Sequence, residues 1–168
     1  MDSLDLLLVK YQFNKRAEIF IDRWGDDADS LKMRFKFGIG DHDASQNVGL
    51  VYIWVAEYEE KADVIYVGKV GSSQSLRKRM AQHVNGTRPG PSGSNSGRQN
   101  AREIFRLTEN GYKVFVYSRI AEVRELVGER VSLESVEEEA FILKFSNLNH
   151  QLLNRSSKKY KTLSFARP

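Results

Sequence analysis

The most restrictive feature of this sequence is a pair of apolar runs joined by a short charged segment. Residues 49–56 read GLVYIWVA and residues 64–67 read VIYV, with Glu57 to Asp63 between them and Gly68 closing the second run. Both runs are dense in β-branched and aromatic residues, which suit a pleated, buried surface, so the pair is expected to form a hairpin. Leu50, Tyr52 and Trp54 then share one face of its first strand. A helix is expected over 75–84, with Leu76, Met80 and Val84 as its buried stripe and Arg79 and His83 one turn apart beside it. Residues 85–97 (NGTRPGPSGSNSG) hold four glycines and two prolines and read as irregular. A short helix over 101–109 stops at Asn110-Gly111, and residues 112–118 (YKVFVYS) supply a third core strand. A largely buried helix over about 133–145 follows, with Val136, Ala140 and Leu143 on one face and Phe141, Ile142 and Phe145 covering much of the rest. The order β-β-α-α-β-α implies an α+β layer around a small three-stranded antiparallel sheet flanked by helices.

Ahead of this core, residues 2 to about 23 carry Leu4, Leu7, Leu8 and Tyr11 at helical spacing, continued by Phe13, Ala17 and Phe20, after an Asp2 or Ser3 cap. Residues 31–37 (LKMRFKF) alternate apolar and basic and suit a short half-buried strand. The chain thus divides into a mainly helical N-terminal arm (1–47), a core (48–155) with an insertion at 85–97, and a tail (156–168). With 168 residues, one substantial core is affordable and two are not.

Several chemistries are excluded at once. Cysteine is absent, which removes disulfides, thiolate metal sites and a cysteine nucleophile. The three histidines, His42, His83 and His150, form no pair at zinc-ligand spacing. No apolar run reaches the roughly 18 residues of a membrane span, and the first residues are acidic where a secretory signal is basic, so a cytoplasmic protein without membrane contact is expected.

The formal net charge of +4 is unevenly placed. Residues 155–168 carry Arg155, Lys158, Lys159, Lys161 and Arg167 with no acid, and residues 85–102 carry Arg88, Arg98 and Arg102 with none. A basic loop and tail on a near-neutral body fit a polyanionic partner; a solvated tail fits equally.

The landmarks that carry chemistry fall in a definite order. Leu50-Val51-Tyr52 lies on the first core strand and Tyr66-Val67-Gly68-Lys69 closes the second. Arg79 and His83 follow on the helix, then Glu139 with Ile142 and Leu143 at +3 and +4, and finally Leu152-Leu153-Asn154. This set resembles the GIY-YIG nuclease superfamily, over about 107 residues from Val48 to Asn154. The layout is similar to phage-type and compact restriction members, which share a polar insertion after the arginine helix. Two positions depart from the pattern: the first motif has its glycine absent or displaced to Gly49, and Gln151 stands where many relatives have proline.

The resemblance implies a divalent-metal-dependent endonuclease cutting duplex DNA, of restriction or phage type. Tyr52 would orient or deprotonate the attacking water. A free tyrosine pKa of about 10 is too high for that, so Lys69, Arg79 or the metal would have to lower it. Arg79 offers planar, permanently charged donors to phosphate oxygens, Tyr66 would hold the scissile phosphate, and His83 would be a further contact. Lys69 matches the basic residue after the YIG element and Asn154 the terminal asparagine. Glu139 would anchor Mg²⁺ (Mn²⁺ may substitute), an ion that keeps most of its waters and needs few carboxylates. Glu138 is the alternative ligand, although Ser135 to Glu138 also fits a capping box. Arg88, Arg98, Arg102, Arg155, Lys158, Lys159 and Lys161 would position the duplex. A double-strand cut by a one-site core implies a homo-oligomer or two successive nicks. The rival reading is a catalytically inactive GIY-YIG module that binds DNA or assembles with partners.

Overall fold

A computed structural model describes residues 4–27 and 29–155. A short helix α1 (Leu4–Lys10) precedes strands β1 (Asn14–Arg23) and β2 (Leu31–Phe37). The hairpin read from the sequence follows as β3 (Leu50–Tyr58) and β4 (Lys61–Val70), then helices α2 (Leu76–Gly86) and α3 (Asn95–Glu109). Strand β5 (Lys113–Ile120), a small hairpin of β6 (Val123–Leu126) and β7 (Glu129–Ser132), and helix α4 (Glu134–Asn147) complete the order.

The class is α+β, but the main sheet has five antiparallel strands in the order β2-β1-β5-β3-β4, not three. The two additional strands come from the arm expected to be mainly helical. Gln12 at φ 57° ends the helix just beyond its seventh residue, after Leu4, Leu7 and Leu8 are buried. Beyond it Ala17, Ile19 and Ile21 alternate toward the core, a period-two pattern that competes with the helical spacing of Phe13, Ala17 and Phe20. Pairing to β5 on one side and β2 on the other decides the contest, because each strand bond satisfies a backbone group that an isolated helix end would leave open.

The sheet is sandwiched over part of its width. On one side Leu50, Tyr52, Trp54, Ile65, Val114 and Val116 pack against Leu76, Met80, Ile104 and Leu107 of α2 and α3. On the other, Val51, Ile53, Val55, Val64 and Val67 pack against Leu4 and Leu8 of α1 and Phe141 and Phe145 of α4. A bulge in β4, where Val55 faces Val64 and Trp54 faces Tyr66, leaves Ile65 as the extra residue. Tyr66 thereby joins the α2 side, among the neighbours of Tyr52 and Trp54.

Two helices differ from expectation in ways that matter for the site. α3 begins at Asn95, inside the stretch read as irregular, with the Ser94 side chain capping Gly97 N–H at 3.0 Å. Gly97 serves helix contact: a Cβ there would overlap the Gly86 backbone where α2 and α3 cross. In α4 the buried residues are Phe141 and Phe145, whereas Val136 and Leu143 of the expected stripe are 63% and 55% exposed. The larger aromatic rings win the core, and the helix is rotated accordingly.

Candidate active site

Tyr52 is the centre of the constellation and has no solvent exposure. It lies directly across the hairpin from Gly68, where a Cβ would approach its ring and hydroxyl to 2.5 Å. The glycine of Tyr66-Val67-Gly68 is therefore required by contact, since its φ is not in the left-handed region. Tyr66 stacks on Trp54 with centroids 4.3 Å apart and lies 6.0 Å from Tyr52, and His83 sets its ring edge-on to all three.

α2 brings Arg79 and His83 onto the Tyr52 hydroxyl from one helix turn. His83 Nε2 is 2.7 Å from it and Arg79 Nε donates to it at 3.3 Å. Burial, then the neighbouring Arg79 charge, push His83 down to about 3, so the imidazole is neutral, and in the tautomer with a bare Nε2 it accepts a hydrogen bond from the Tyr52 hydroxyl. Burial, reinforced by Tyr66, raises the Tyr52 hydroxyl well above its ordinary value; Arg79 opposes this without overcoming it. The lowering expected of Lys69 or Arg79 is thus not what the resting site shows. Burial likewise raises Tyr66. Arg79 also donates to Gln82 Oε1 at 2.9 Å, and Gln82 donates to Gln74 Oε1 at 3.1 Å. Neither glutamine stood out in the sequence, because neither belongs to a charged or periodic pattern.

β4 lies at the sheet edge, so groups from both faces meet at its end. Lys69 reaches across to α4, donating to Ser135 Oγ at 2.9 Å and pairing with Glu138 Oε2 at 3.4 Å. The Glu138 charge bears on both Tyr66 and Arg79. Glu139, by contrast, is exposed and outside this cluster. The rotation of α4 explains the exchange: Glu138 precedes the buried Phe141 by three residues and Phe145 by seven, whereas Glu139 shares the outward side with Val136 and Leu143. The capping box is not formed either. Leu133 is the N-cap and makes no side-chain cap, and the Ser135 hydroxyl is taken by Lys69.

Among solved structures, the chain is similar to a mutant of EndoII from bacteriophage T4. The TM-score is 0.58 at 21% identity, covering 86% of this chain and 96% of that one. The chain shares the EndoII fold. A restriction endonuclease in complex with product DNA aligns at a TM-score of 0.49 and 18% identity, over 94% of this chain and 87% of that one. No family model and no curated protein matches the sequence.

On this EndoII-like frame the remaining expected residues separate into different jobs. Asn154 pairs its amide with the backbone N–H and carbonyl of Val67, completing the open edge of β4 as a strand would. His150, given no role from sequence, accepts from Val64 N–H at 3.3 Å on the same edge. Arg98 is spent on its own loop, donating to the Arg88 and Gly90 carbonyls and to Asn95 Oδ1 at 3.0, 3.1 and 2.7 Å. Arg88 lies over the Trp24 ring, and Arg102 is exposed. The Arg155 side chain, Lys158, Lys159 and Lys161 lie outside the described residues. Among the described residues no three His, Asp or Glu side chains cluster as a metal cage, and no helix is long and apolar enough to cross a membrane.

Proposed function

We propose that this protein is a metal-dependent endonuclease that hydrolyses phosphodiester bonds of duplex DNA, of restriction or phage type. The observation that carries this reading is the convergence at one sheet edge of the Tyr52 hydroxyl, the Arg79 guanidinium and the Lys69–Glu138 pair. A binding module has no need of a carboxylate beside an arginine meant for phosphate, because the acid repels the ligand.

Glu138 replaces Glu139 as the metal anchor in this proposal. Its carboxylate is only 21% exposed and stands at the mouth of the site, and a single carboxylate suits Mg²⁺, which retains several waters. When bound there, the ion would acidify a coordinated water and stabilise charge on the phosphate and leaving oxygens. Lys69 holds Glu138 in place beforehand. Arg79 would bind non-bridging phosphate oxygens with its outward donors while its Nε keeps Tyr52 in register. Tyr66, partly exposed, would donate its hydroxyl to the same phosphate.

Tyr52 and His83 would handle the proton together. As the attacking water gives a proton to the Tyr52 oxygen, the Tyr52 proton passes to His83 Nε2 over the existing 2.7 Å contact. The resting His83 resists that proton through burial and the Arg79 charge; a phosphate anion on Arg79 offsets the second cause. The products would carry 5′-phosphate and 3′-hydroxyl ends.

One cleft cuts one strand, so we infer that double-strand scission takes two copies of the chain or two successive nicks. Incubation of supercoiled plasmid with the protein in Mg²⁺ tests the reading. Nicked or linear product that disappears with EDTA and in Arg79→Ala is expected; cleavage indifferent to both would overturn it.

A further inference from the structure

Among the described residues, the side of the sheet that carries α1 and α4 is covered over β3 and β4 and over the end of β5 that holds Tyr117 and Arg119. Over β2 and β1 no described helix packs on that side, and it carries cations the catalytic reading does not use. In β2, Met33 and Phe35 face the α2 and α3 core, so Lys32, Arg34 and Lys36 point the other way. None of the three closes an ion pair among the described residues.

Aromatic rings lie beneath two of these cations and a neighbouring one. Arg34 lies over Phe20, its partner in register, at 5.3 Å, and Lys32 lies over Trp24 at 4.4 Å. Lys15 of β1 lies over Phe115 of β5 at 3.5 Å. Cation–π contact orders long side chains that would otherwise lose conformational freedom on binding. Cations on an edge strand also discourage sheet-to-sheet aggregation, but that duty does not require a half-buried ring such as Phe20 beneath Arg34. Glu18 and Asp22 share the face, opposite Lys36 and Lys32 on β1. They confine the positive track to β2 and its edge. Two strand residues advance about 6.8 Å, so Lys32 to Lys36 spans about 14 Å, the rise of roughly four phosphates along one DNA strand.

We propose that the open face of β2, along the sheet edge, binds the phosphate backbone of a second segment of duplex DNA, on the side of the sheet away from Tyr52. The choice of DNA rests on the nuclease reading; the charge pattern alone specifies a polyanion.

The full-length chain with Lys32→Glu, Arg34→Glu and Lys36→Glu combined tests it, with a fluorescent duplex of about 30 base pairs titrated in EDTA across a salt series. Affinity is expected to fall about tenfold or more, and the slope of log affinity against log salt to shrink by about 2–3. A control with Lys10→Glu, Lys61→Glu and Arg130→Glu changes net charge equally on other surfaces and is expected to lose much less. The Gln triple at the three β2 positions avoids new acids beside Glu18 and Asp22, and the same reduction in slope is expected of it. Equal losses in test and control, or an unchanged slope in the Gln triple, would overturn the proposal. Because binding is read without metal, a failure of the chain to cleave DNA would remove the catalytic reading and leave this result to stand by itself.

Discussion

Arg79 and Arg98 both sit near the start of a helix, and the structure uses them in opposite ways. Arg79 is attached to its surroundings by Tyr52 and Gln82, each through one nitrogen, at a mouth shared with Lys69 and Glu138. Arg98 spends both terminal nitrogens on the loop that precedes it, bonding two carbonyls and an asparagine. The first, in the proposed reading, is held for phosphate. The second is a brace. Sequence composition treats the two alike, and only the distribution of hydrogen-bond partners separates an arginine available to phosphate from one that builds the chain.

The sharpest break of that comparison is mutational. Arg79→Ala is expected to lower plasmid cleavage by about 10²–10³-fold, the scale on which positioned charged donors act, with thermal stability little changed. Arg98→Ala should do the reverse, costing about 1–2 kcal/mol in denaturant melts with cleavage under folding conditions nearly intact. If Arg98→Ala lost cleavage as deeply as Arg79→Ala while remaining folded, the division would fail.

The scaffold beneath Arg79 offers a second test. Gly68→Ala would drive a methyl into the Tyr52 ring at about van der Waals overlap, and about 1–3 kcal/mol of destabilisation is expected, with loss of activity. A Gly68→Ala variant of wild-type stability would show that the close approach is not needed.

The neutral His83 predicts a pH effect. The folded chain keeps it unprotonated down to about 3, whereas the unfolded chain protonates it near its ordinary value of 6.5. Between those values the unfolded state binds more protons, so stability from this group is complete above about pH 6.5 and declines as pH falls, by up to about 1.4 kcal/mol per unit. His83→Gln should flatten the acid limb of a stability-against-pH curve; an identical limb would contradict the assignment. Smallest of all, Arg102→Ala is expected to weaken DNA binding a few-fold and reduce the salt slope by about 0.9, one phosphate contact. No change in slope would remove Arg102 from the DNA surface.

The core hairpin and the helix behind it were legible because burial on both faces of β3 writes a continuous apolar run, and Tyr52, Tyr66, Lys69 and Arg79 are fixed to it by local spacing. Residues 14–23 were misread because Phe13, Ala17 and Phe20 satisfy a helical spacing while Ala17, Ile19 and Ile21 satisfy a strand. Strand pairing with β5, almost a hundred residues away, resolves it, and no local pattern records that. The sequence does not place Glu138 and Glu139 relative to the site, for a related reason. Ala140, Phe141, Ile142 and Leu143 of α4 are apolar at four successive positions, so periodicity does not set its rotation, and the packing of Phe141 and Phe145 does.

That rotation makes the central claim testable at two adjacent residues. Initial rates of plasmid cleavage in Mg²⁺ should fall by about 10²-fold or more in Glu138→Gln and stay within about threefold of wild type in Glu139→Gln. Loss of cleavage in Glu139→Gln with Glu138→Gln fully active would contradict the site described.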